Sequence, residues 1–286
     1  MEVKLIAMTD AVFDYGSFGK GLVRNGVVGN SLSPVQVCNL AAKTCTSEDA
    51  GDLLEPGYIE GEPCPRWTNG LELGPLRAAI RSGHESVLEH AVYTFEVKGV
   101  SRALTHQLVR HRVASYSQQS QRYVNMEDFN YVIPESIKVN ENVWNEYSTL
   151  MEYISDLYRE MVDKYNIPGE DARYILPNAC ATNIVVTMNA RELLHFFALR
   201  CCNRAQWEIR ELAEKMLKLC WEVSPIIFED AGPSCVRDGF CRESKSCGRA
   251  PKLKQVLEIM DEMKCEESIR EEQSTAEGPS HTSTRG

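Results

Sequence analysis

The sequence predicts a mixed α/β fold, because segments with strand periodicity alternate along the chain with segments of helical periodicity. Residues 93–98 alternate apolar and polar side chains, which is typical of a strand with one buried face. Residues 183–188 form a short β-branched run that suits a buried strand. Residues 143–165 repeat aromatic, aliphatic and methionine side chains at helical spacing, which predicts a long helix packed on a core or a subunit interface.

Shorter elements fill much of the remaining chain. Two further strands are predicted, at residues 3–6 and 129–134. The helix predicted over residues 76–82 ends at Gly83, a residue type that readily adopts the left-handed conformation found after many helices. Further helices are predicted at residues 34–44, 101–112, 192–204, 205–223 and 253–263.

Composition limits the classes of function. Of the 286 residues, 43% are hydrophobic and 25% are charged, which is typical of a soluble globular protein. The net charge of −10 argues against nucleic acid or an anionic membrane as a partner of the whole molecule. The amino-terminal segment lacks the basic and apolar regions of a secretory signal, and no apolar run approaches the ~20 residues of a membrane span. We therefore expect a cytoplasmic protein whose eleven cysteines are reduced thiols.

A change in composition predicts the domain organisation. Residues 1–230 are expected to form one main domain, followed by a C-terminal extension over residues 231–265. Residues 266–286 are acidic and then rich in Ser, Thr and Gly, which predicts a disordered tail. The extension carries three evenly spaced cysteines, Cys235, Cys241 and Cys247. Structural zinc usually needs closer pairs and a fourth ligand, so no metal site is expected.

Residues 110–123, RHRVASYSQQSQRY, concentrate cations without any acidic residue. Three arginines and one histidine stand among hydroxyl and amide side chains. Arginine offers paired donors to phosphate, while hydroxyls and amides can read the polar edges of a base or a sugar. The residue types alone leave two interpretations open, a site for a polyanionic ligand or a solvated, charge-rich helix end.

A second polar cluster begins at Arg173, which precedes a Tyr-Ile-Leu-Pro run. The helix predicted over residues 192–204 then carries His195, Arg200 and Arg204 on one face. This face has no matching acids, which weakens its interpretation as a salt-bridged solvent surface.

The two clusters resemble one known family. Arg110, His111, Arg112, seven intervening residues and Ser120 reproduce the RHR-x7-S signature of the flavin-dependent thymidylate synthases. The flanking motifs also follow the family's order: GHES and EH within residues 83–90, Gln107, Arg122-Tyr123, RYILP at 173–177, NAR at 189–191, LR at 199–200 and AQWE at 205–208. The resemblance covers about residues 37–228.

The resemblance implies a reaction and an assembly. Members of the family convert dUMP to dTMP, with 5,10-methylenetetrahydrofolate as carbon donor and NADPH as reductant through bound FAD. The implied fold has a mostly antiparallel central sheet with flanking helices. The implied assembly is a homotetramer whose active sites are shared between subunits, with residues 1–230 as the catalytic domain. The expected partners are dUMP and folate.

The resemblance also assigns side chains to the ligands. The positions implied for FAD are Ser86, Glu89, Arg110, His111, Arg112, Gln118, Asn189, Arg191 and His195. The positions implied for dUMP are Gln107, Arg110, Gln118, Gln119, Ser120, Arg122, Arg173 and Arg200. The expected catalytic residues are Arg173, which would stabilise negative charge developing on the uracil carbonyls, and Ser120, which would bind and polarise the base. Gln118 stands where the family often has Glu, so it cannot act there as a carboxylate.

Two other functions remain open at this point. One is a nucleotide- or RNA-binding module without catalysis, against which the acidic total charge counts. The other is a folate-only thymidylate synthase, in which a cysteine adds to C6 of uracil. Cysteine is plentiful in this chain, so its count does not exclude that chemistry, although the family pattern argues against it.

Overall fold

The computed structural model describes residues 1–9, 23–24, 27–28, 34–46, 56–59, 62–65 and 73–250. The chain divides into two compact units, Met1–Gly232 and Pro233–Gly286. The helix predicted over residues 253–263 and the disordered tail predicted over residues 266–286 lie outside the described residues.

Strands and helices are interspersed along the first unit. The strands are β1 (Glu2–Met8), β2 (Val23–Arg24), β3 (Val27–Val28), β4 (Pro56–Ile59), β5 (Glu62–Pro65), β6 (Val92–Ser101), β7 (Ala114–Gln118) and β8 (Ala181–Asn189). The helices are α1 (Pro34–Thr46), α2 (Gly74–Arg81), α3 (Arg102–Leu108), α4 (Glu135–Lys138), α5 (Glu141–Asp163), α6 (Gly169–Ala172), α7 (Ala190–Arg200), α8 (Trp207–Val223) and α9 (Pro225–Phe228). Two 3-10 helices lie at Glu85–His90 and Arg173–Ile175.

A four-stranded sheet in the order β1-β6-β8-β7 organises this unit, and each neighbouring pair is antiparallel. This confirms the predicted mixed α/β class with an antiparallel central sheet. Successive side chains point to opposite faces, so Tyr93, Phe95 and Val97 of β6 are all fully buried. The strands predicted at residues 3–6, 93–98 and 183–188 lie within β1, β6 and β8.

The strand predicted over residues 129–134 is wrong. Only one isolated bridge forms there, between Tyr131 and Cys180. The segment reaches the beginning of β8 through a hydrogen bond of 2.7 Å from the Ala181 N–H to the Asn130 carbonyl. The chain then reaches Pro134, which has no N–H to continue a ladder and precedes the first turn of α4.

The helix predicted over residues 101–112 is shorter than expected. It ends at Leu108, because the N–H groups of Arg110 and His111 turn back to the carbonyls of Gln107 and Leu108, at 3.2 and 3.1 Å. Such bonds to the third preceding residue tighten and close a helix end. Arg110, His111 and Arg112 therefore lie in a loop between α3 and β7.

Two buried clusters stabilise the first unit. The larger one joins the inner residues of β6 and β8 to α7 and α8, and it includes Phe95, Val186, Phe196 and Met216. The smaller one packs α5 against residues near α6 and β8, among them Met126, Phe129, Met151, Tyr158, Ala172 and Cys180. Each fully buried large side chain contributes about 1.5–3 kcal/mol relative to its exposed state.

A buried carboxylate ties the sheet to α8. Glu208 is 3% exposed and accepts hydrogen bonds from the Ser101 N–H at 2.7 Å and from the Ser101 hydroxyl at 2.5 Å. The same hydroxyl oxygen accepts from the Leu104 N–H at 3.0 Å and so caps α3. One contact therefore fixes the end of β6, the start of α3 and the start of α8.

The second unit contains α10 (Ser234–Asp238), which ends at Gly239 in the left-handed conformation, with φ of 72°. Cys235, Cys241 and Cys247 form no disulfide with the residues that the structure describes. Across the described ranges of the whole chain, no three His, Cys, Asp or Glu side chains group as metal ligands. None of the described helices is long and apolar enough to cross a membrane.

Candidate active site

Residues 110–123 form two loops separated by the edge strand β7. β7 pairs with β8 from Ala114 opposite Met188 to Gln118 opposite Ile184. The first loop carries Arg110, His111 and Arg112 out of α3, and the second carries Gln119 to Tyr123 away from the sheet. This arrangement presents two polar clusters at opposite ends of one short strand.

His111 is the buried centre of the first loop. Its ring is 5% exposed and lies between a carboxylate and a guanidinium. Its Nδ1 is 3.3 Å from Oε1 of Glu192, and its Nε2 accepts from Nε of Arg200 at 3.1 Å. Burial lowers the pKa of His111 to about 4, aided by the charges of Arg200 and His195. The imidazole is therefore neutral near pH 7.

The backbone around His111 is held by Tyr116 of β7. The Tyr116 hydroxyl lies 2.8 Å from both the Leu108 and the His111 carbonyl oxygens, where its proton can bond either one. Burial raises the pKa of Tyr116, so the hydroxyl stays a donor. The strand thereby fixes the loop that precedes it.

Arg110 and Arg112 flank this buried histidine and are both exposed. Neither guanidinium forms an ion pair with the residues that the structure describes. Two uncompensated guanidiniums on either side of a fixed point suit a ligand with more than one anionic group.

The second loop is fixed by contacts from neighbouring elements. Gln118 donates from Nε2 to the Thr105 hydroxyl at 3.1 Å, and Arg102 donates from Nη2 to the Gln119 carbonyl at 2.7 Å. The Ser120 hydroxyl oxygen accepts from the Arg122 N–H at 3.1 Å. Gln118, Gln119 and Ser120 are each partly exposed, so their remaining polar atoms can reach a ligand.

Glu170 supplies an acid that this loop itself lacks. Its Oε2 accepts from Nε and Nη2 of Arg122 at 3.0 and 2.9 Å, with both side chains half-exposed. The Glu170 carbonyl accepts from Nε of Arg173 at 3.0 Å. Arg122 and Arg173, which the sequence places 51 positions apart, are thus held by one residue.

A third cluster of polar side chains lies at the start of α7. Asn189 caps the helix by accepting from the Glu192 N–H at 2.9 Å. Arg191 is exposed and pairs through Nη1 with Oε1 of Glu89 at 2.5 Å, and this contact raises the pKa of Arg191. Ser86 is exposed on the same 3-10 helix as Glu89.

The structure brings several sequence-predicted residues together. His195 is exposed, and its ring centroid lies 5.9 Å from that of His111, so α7 joins His195 and Arg200 to the first loop. Gln107 is partly exposed at the end of α3, where its carbonyl accepts from Arg110.

Four residues that support the site were not singled out from the sequence: Tyr116, Glu192, Arg102 and Glu170. Glu192 stands in the first turn of α7, where an acid is expected because it complements the helix dipole, so the sequence gives no sign of its contact with His111.

The core cysteines do not suit nucleophilic attack. Burial raises the pKa of the Cys38 and Cys201 thiols to about 12, and it also raises that of Cys180 and Cys220. The nucleophilic form of cysteine is the thiolate, which these four residues scarcely populate near neutral pH.

Comparison with known proteins identifies the family. Residues 27–226 match the family model described as thymidylate synthase complementing protein. The chain is 54% identical over 181 residues to the flavin-dependent thymidylate synthase of Geobacter sulfurreducens, covering 62% of this chain and 77% of that protein. It is 50% identical over 234 residues to the enzyme of the same name from Nitratidesulfovibrio vulgaris, covering 79% and 94%.

A solved structure supports the fold. The flavin-dependent thymidylate synthase ThyX of Helicobacter pylori, crystallised with FAD and dUMP, superposes with a TM-score of 0.56 at 22% identity. The match covers 81% of this chain and 100% of that one. The fold and the sequence relatives agree, and the chain belongs to the flavin-dependent thymidylate synthase family.

Proposed function

We propose that this chain converts dUMP to dTMP, with 5,10-methylenetetrahydrofolate as the carbon donor and NADPH as the reductant through FAD. Membership of the flavin-dependent thymidylate synthase family is the observation that carries the proposal. The raised pKa of the buried thiols adds to it, because a folate-only mechanism would need a cysteine thiolate.

The donor set of the first loop fits FAD. Exposed Arg110 and Arg112 offer two guanidiniums to a pyrophosphate, and Arg191 lies at the start of α7 with an exposed side chain. The residues proposed to hold FAD are Ser86, Glu89, Arg110, His111, Arg112, Gln118, Asn189, Arg191 and His195. When bound, the flavin supplies the redox chemistry that side chains alone lack.

The second loop and its neighbours are proposed to hold the nucleotide. The residues assigned to dUMP are Gln107, Arg110, Gln118, Gln119, Ser120, Arg122, Arg173 and Arg200. Half-exposed ion pairs contribute at most about 1 kcal/mol, so a phosphate can displace Glu170 from Arg122 at little cost. Arg173 keeps its terminal nitrogens for a uracil carbonyl, where a cation stabilises developing negative charge.

We also propose a cytoplasmic homotetramer with active sites shared between subunits. Tyr123 and Tyr174, which adjoin Arg122 and Arg173, are 82% and 83% exposed in the single chain. Aromatic residues are enriched at protein interfaces, and a second subunit would cover these rings beside the nucleotide residues. Light scattering on the purified protein should give the mass of four chains, and a monomer would contradict the assembly.

The visible spectrum tests the function directly. Purified protein reconstituted with FAD should show flavin absorbance, which NADPH should bleach, and adding dUMP with the folate should then yield dTMP. A protein that never acquires flavin absorbance would overturn the proposal. A protein that makes dTMP without FAD would instead be a folate-only synthase.

A further inference from the structure

We infer that Glu192 is a positioning residue that fixes His111 as the Nδ1–H tautomer and thereby aims the Arg200 guanidinium at the nucleotide. The inference rests on the proposed function, because it concerns the dUMP affinity of Arg200. None of the positions assigned to FAD or dUMP includes Glu192.

Glu192 and His111 make a buried pair. Glu192 is 9% exposed and His111 is 5% exposed, and 3.3 Å separates Oε1 of the one from Nδ1 of the other. Burial raises the pKa of Glu192, because its carboxylate has lost solvent. A buried carboxylate that has lost solvent needs a hydrogen-bond donor in its place. The Nδ1–H of a neutral imidazole is such a donor.

Arg200 selects the same tautomer from the other side of the ring. Its Nε–H points at His111 Nε2 at 3.1 Å, and a guanidinium can only donate. Nε2 must therefore carry a lone pair, which leaves the ring proton on Nδ1. In the other tautomer an N–H would face the Arg200 N–H, and both contacts would be lost together.

The surroundings keep the ring from rotating away. Phe196 packs edge-on against His111, with ring centroids 4.9 Å apart. Tyr116 holds the His111 carbonyl, and Asn189 holds the backbone of Glu192. The ring orientation is consequently set by packing, and its proton position is set by Glu192 and Arg200.

The contact with His111 sets the direction of the two terminal nitrogens of Arg200. With Nε bound to His111, the Nη1 and Nη2 atoms make no hydrogen bond or ion pair within the described ranges. They remain as two parallel donors at the end of α7, in a direction set by the histidine. Loss of the Glu192 acceptor would free the ring and with it the guanidinium.

The tautomer of the unmodified protein can be measured without any ligand. Long-range ¹H–¹⁵N spectra of histidine-labelled protein, with His111 assigned by His111→Gln, should show the proton on Nδ1. A proton on Nε2, or on both nitrogens at neutral pH, would overturn the inference even if the Glu192 and Arg200 variants failed to fold.

Substitutions then test the link to Arg200, with dUMP titrated into FAD-loaded protein. Glu192→Leu should weaken dUMP binding roughly tenfold or more, while Glu192→Gln, which keeps an oxygen acceptor, should stay within about threefold. Glu222→Leu, at an exposed position of α8, is the matched control and should bind as the unmodified protein does. The FAD content of each variant is measured in the same samples.

A double-mutant cycle separates positioning from general damage. In an Arg200→Ala background, Glu192→Leu should change dUMP affinity by less than about twofold. The guanidinium through which Glu192 affects the nucleotide is already absent from that background. An equal loss in both backgrounds would contradict the inference. Failure of the unmodified protein to bind dUMP would instead reject the proposed function, and the tautomer measurement would still decide the geometry.

Discussion

The folding stability of the protein depends on pH through His111, because the ring is buried in its neutral form. Its folded pKa is about 4, against 6.5 for the free side chain, so the unfolded chain binds the extra proton first as pH falls. The stability that depends on the neutral ring is complete above pH 6.5 and is lost as pH falls toward 4. Glu192, whose pKa is raised by burial, contributes to the pH dependence of stability with the opposite sign. Arg200 and His195 also face the ring.

We expect the loss of stability on protonation of His111 to be measurable in a Glu192→Gln background. There the Glu192 carboxylate, whose pH dependence has the opposite sign, is absent. Between pH 6.5 and 4, the free energy of unfolding of the Glu192→Gln protein should fall by about 3 kcal/mol more than that of the Glu192→Gln, His111→Gln double variant. This figure follows from the lowered pKa of His111, since each pKa unit corresponds to about 1.4 kcal/mol. Urea unfolding at a series of pH values measures both. Parallel curves would show that His111 is protonated equally in the folded and unfolded chains.

Arg200 and Arg191, at opposite ends of α7, should separate the two ligands. Arg200→Ala should weaken dUMP binding by roughly tenfold or more with little change for FAD, because a bond to a charged group is lost only on the nucleotide side. Arg191→Ala is the matched control and should mainly weaken FAD binding. Separate titrations of dUMP and FAD measure this, and equal losses for both ligands would show the assignment to be wrong.

At the level of single residues, the sequence located the cations but not their partners. It indicated that residues 110–123 lack acids, yet it could not show that Glu170 pairs with Arg122, 48 positions away. It also could not show that His111 is buried between Glu192 and Arg200. Such pairs depend on how β7, β8 and α7 pack, and no local periodicity encodes that packing.

Among the elements, α8 depends on one buried carboxylate for its attachment to β6 and α3. Glu208→Ala should lower the free energy of unfolding by about 3 kcal/mol, because it leaves the buried Ser101 N–H and hydroxyl without their acceptor. Glu211→Ala, on the exposed side of the same helix, should change stability by less than about 1 kcal/mol. Chemical denaturation of both variants provides the comparison, and equal effects would contradict the structural role of Glu208.

Elements with strong periodicity were predictable, and those defined by pairing were not. The helix expected over residues 143–165 occurs as Glu141–Asp163, because its apolar side chains recur at helical spacing. β7 was missed, since Ala-Ser-Tyr-Ser-Gln has no consistently apolar face and becomes a strand only by pairing with β8. The segment at residues 129–134 has strand-like composition but finds only one bridge.

For the whole molecule, we expect the first compact unit to suffice for folding and catalysis. The central sheet and both buried clusters lie within Met1–Gly232, and the family match ends at residue 226. A chain ending at Gly232 should therefore keep its dTMP-forming activity and its melting temperature within a few degrees of the full chain. Loss of either would show that residues 233–286 contribute to the catalytic domain.

A chain ending at Ser224 is the matched control for that truncation. It also removes Ile227 and Phe228, which are 4% and 1% exposed in the larger core. Deleting a buried aromatic residue alone typically costs about 3–5 kcal/mol, so this shorter chain should be strongly destabilised. Thermal unfolding of the two truncated chains distinguishes a dispensable extension from an essential core helix.

The length of β7 fixes the distance between the two loops of the candidate site. The seven residues between Arg112 and Ser120 include the five of this strand, and each of the five is registered against β8. At roughly 3.3 Å per residue, the strand sets a rigid separation of about 16 Å between the loops at its ends. Two added residues would lengthen that gap by about 6.6 Å, and one would turn the second loop to the opposite face. The number of residues between Arg112 and Ser120 is therefore constrained by the length of β7, in addition to the contacts that Tyr116 and Gln118 make within that stretch.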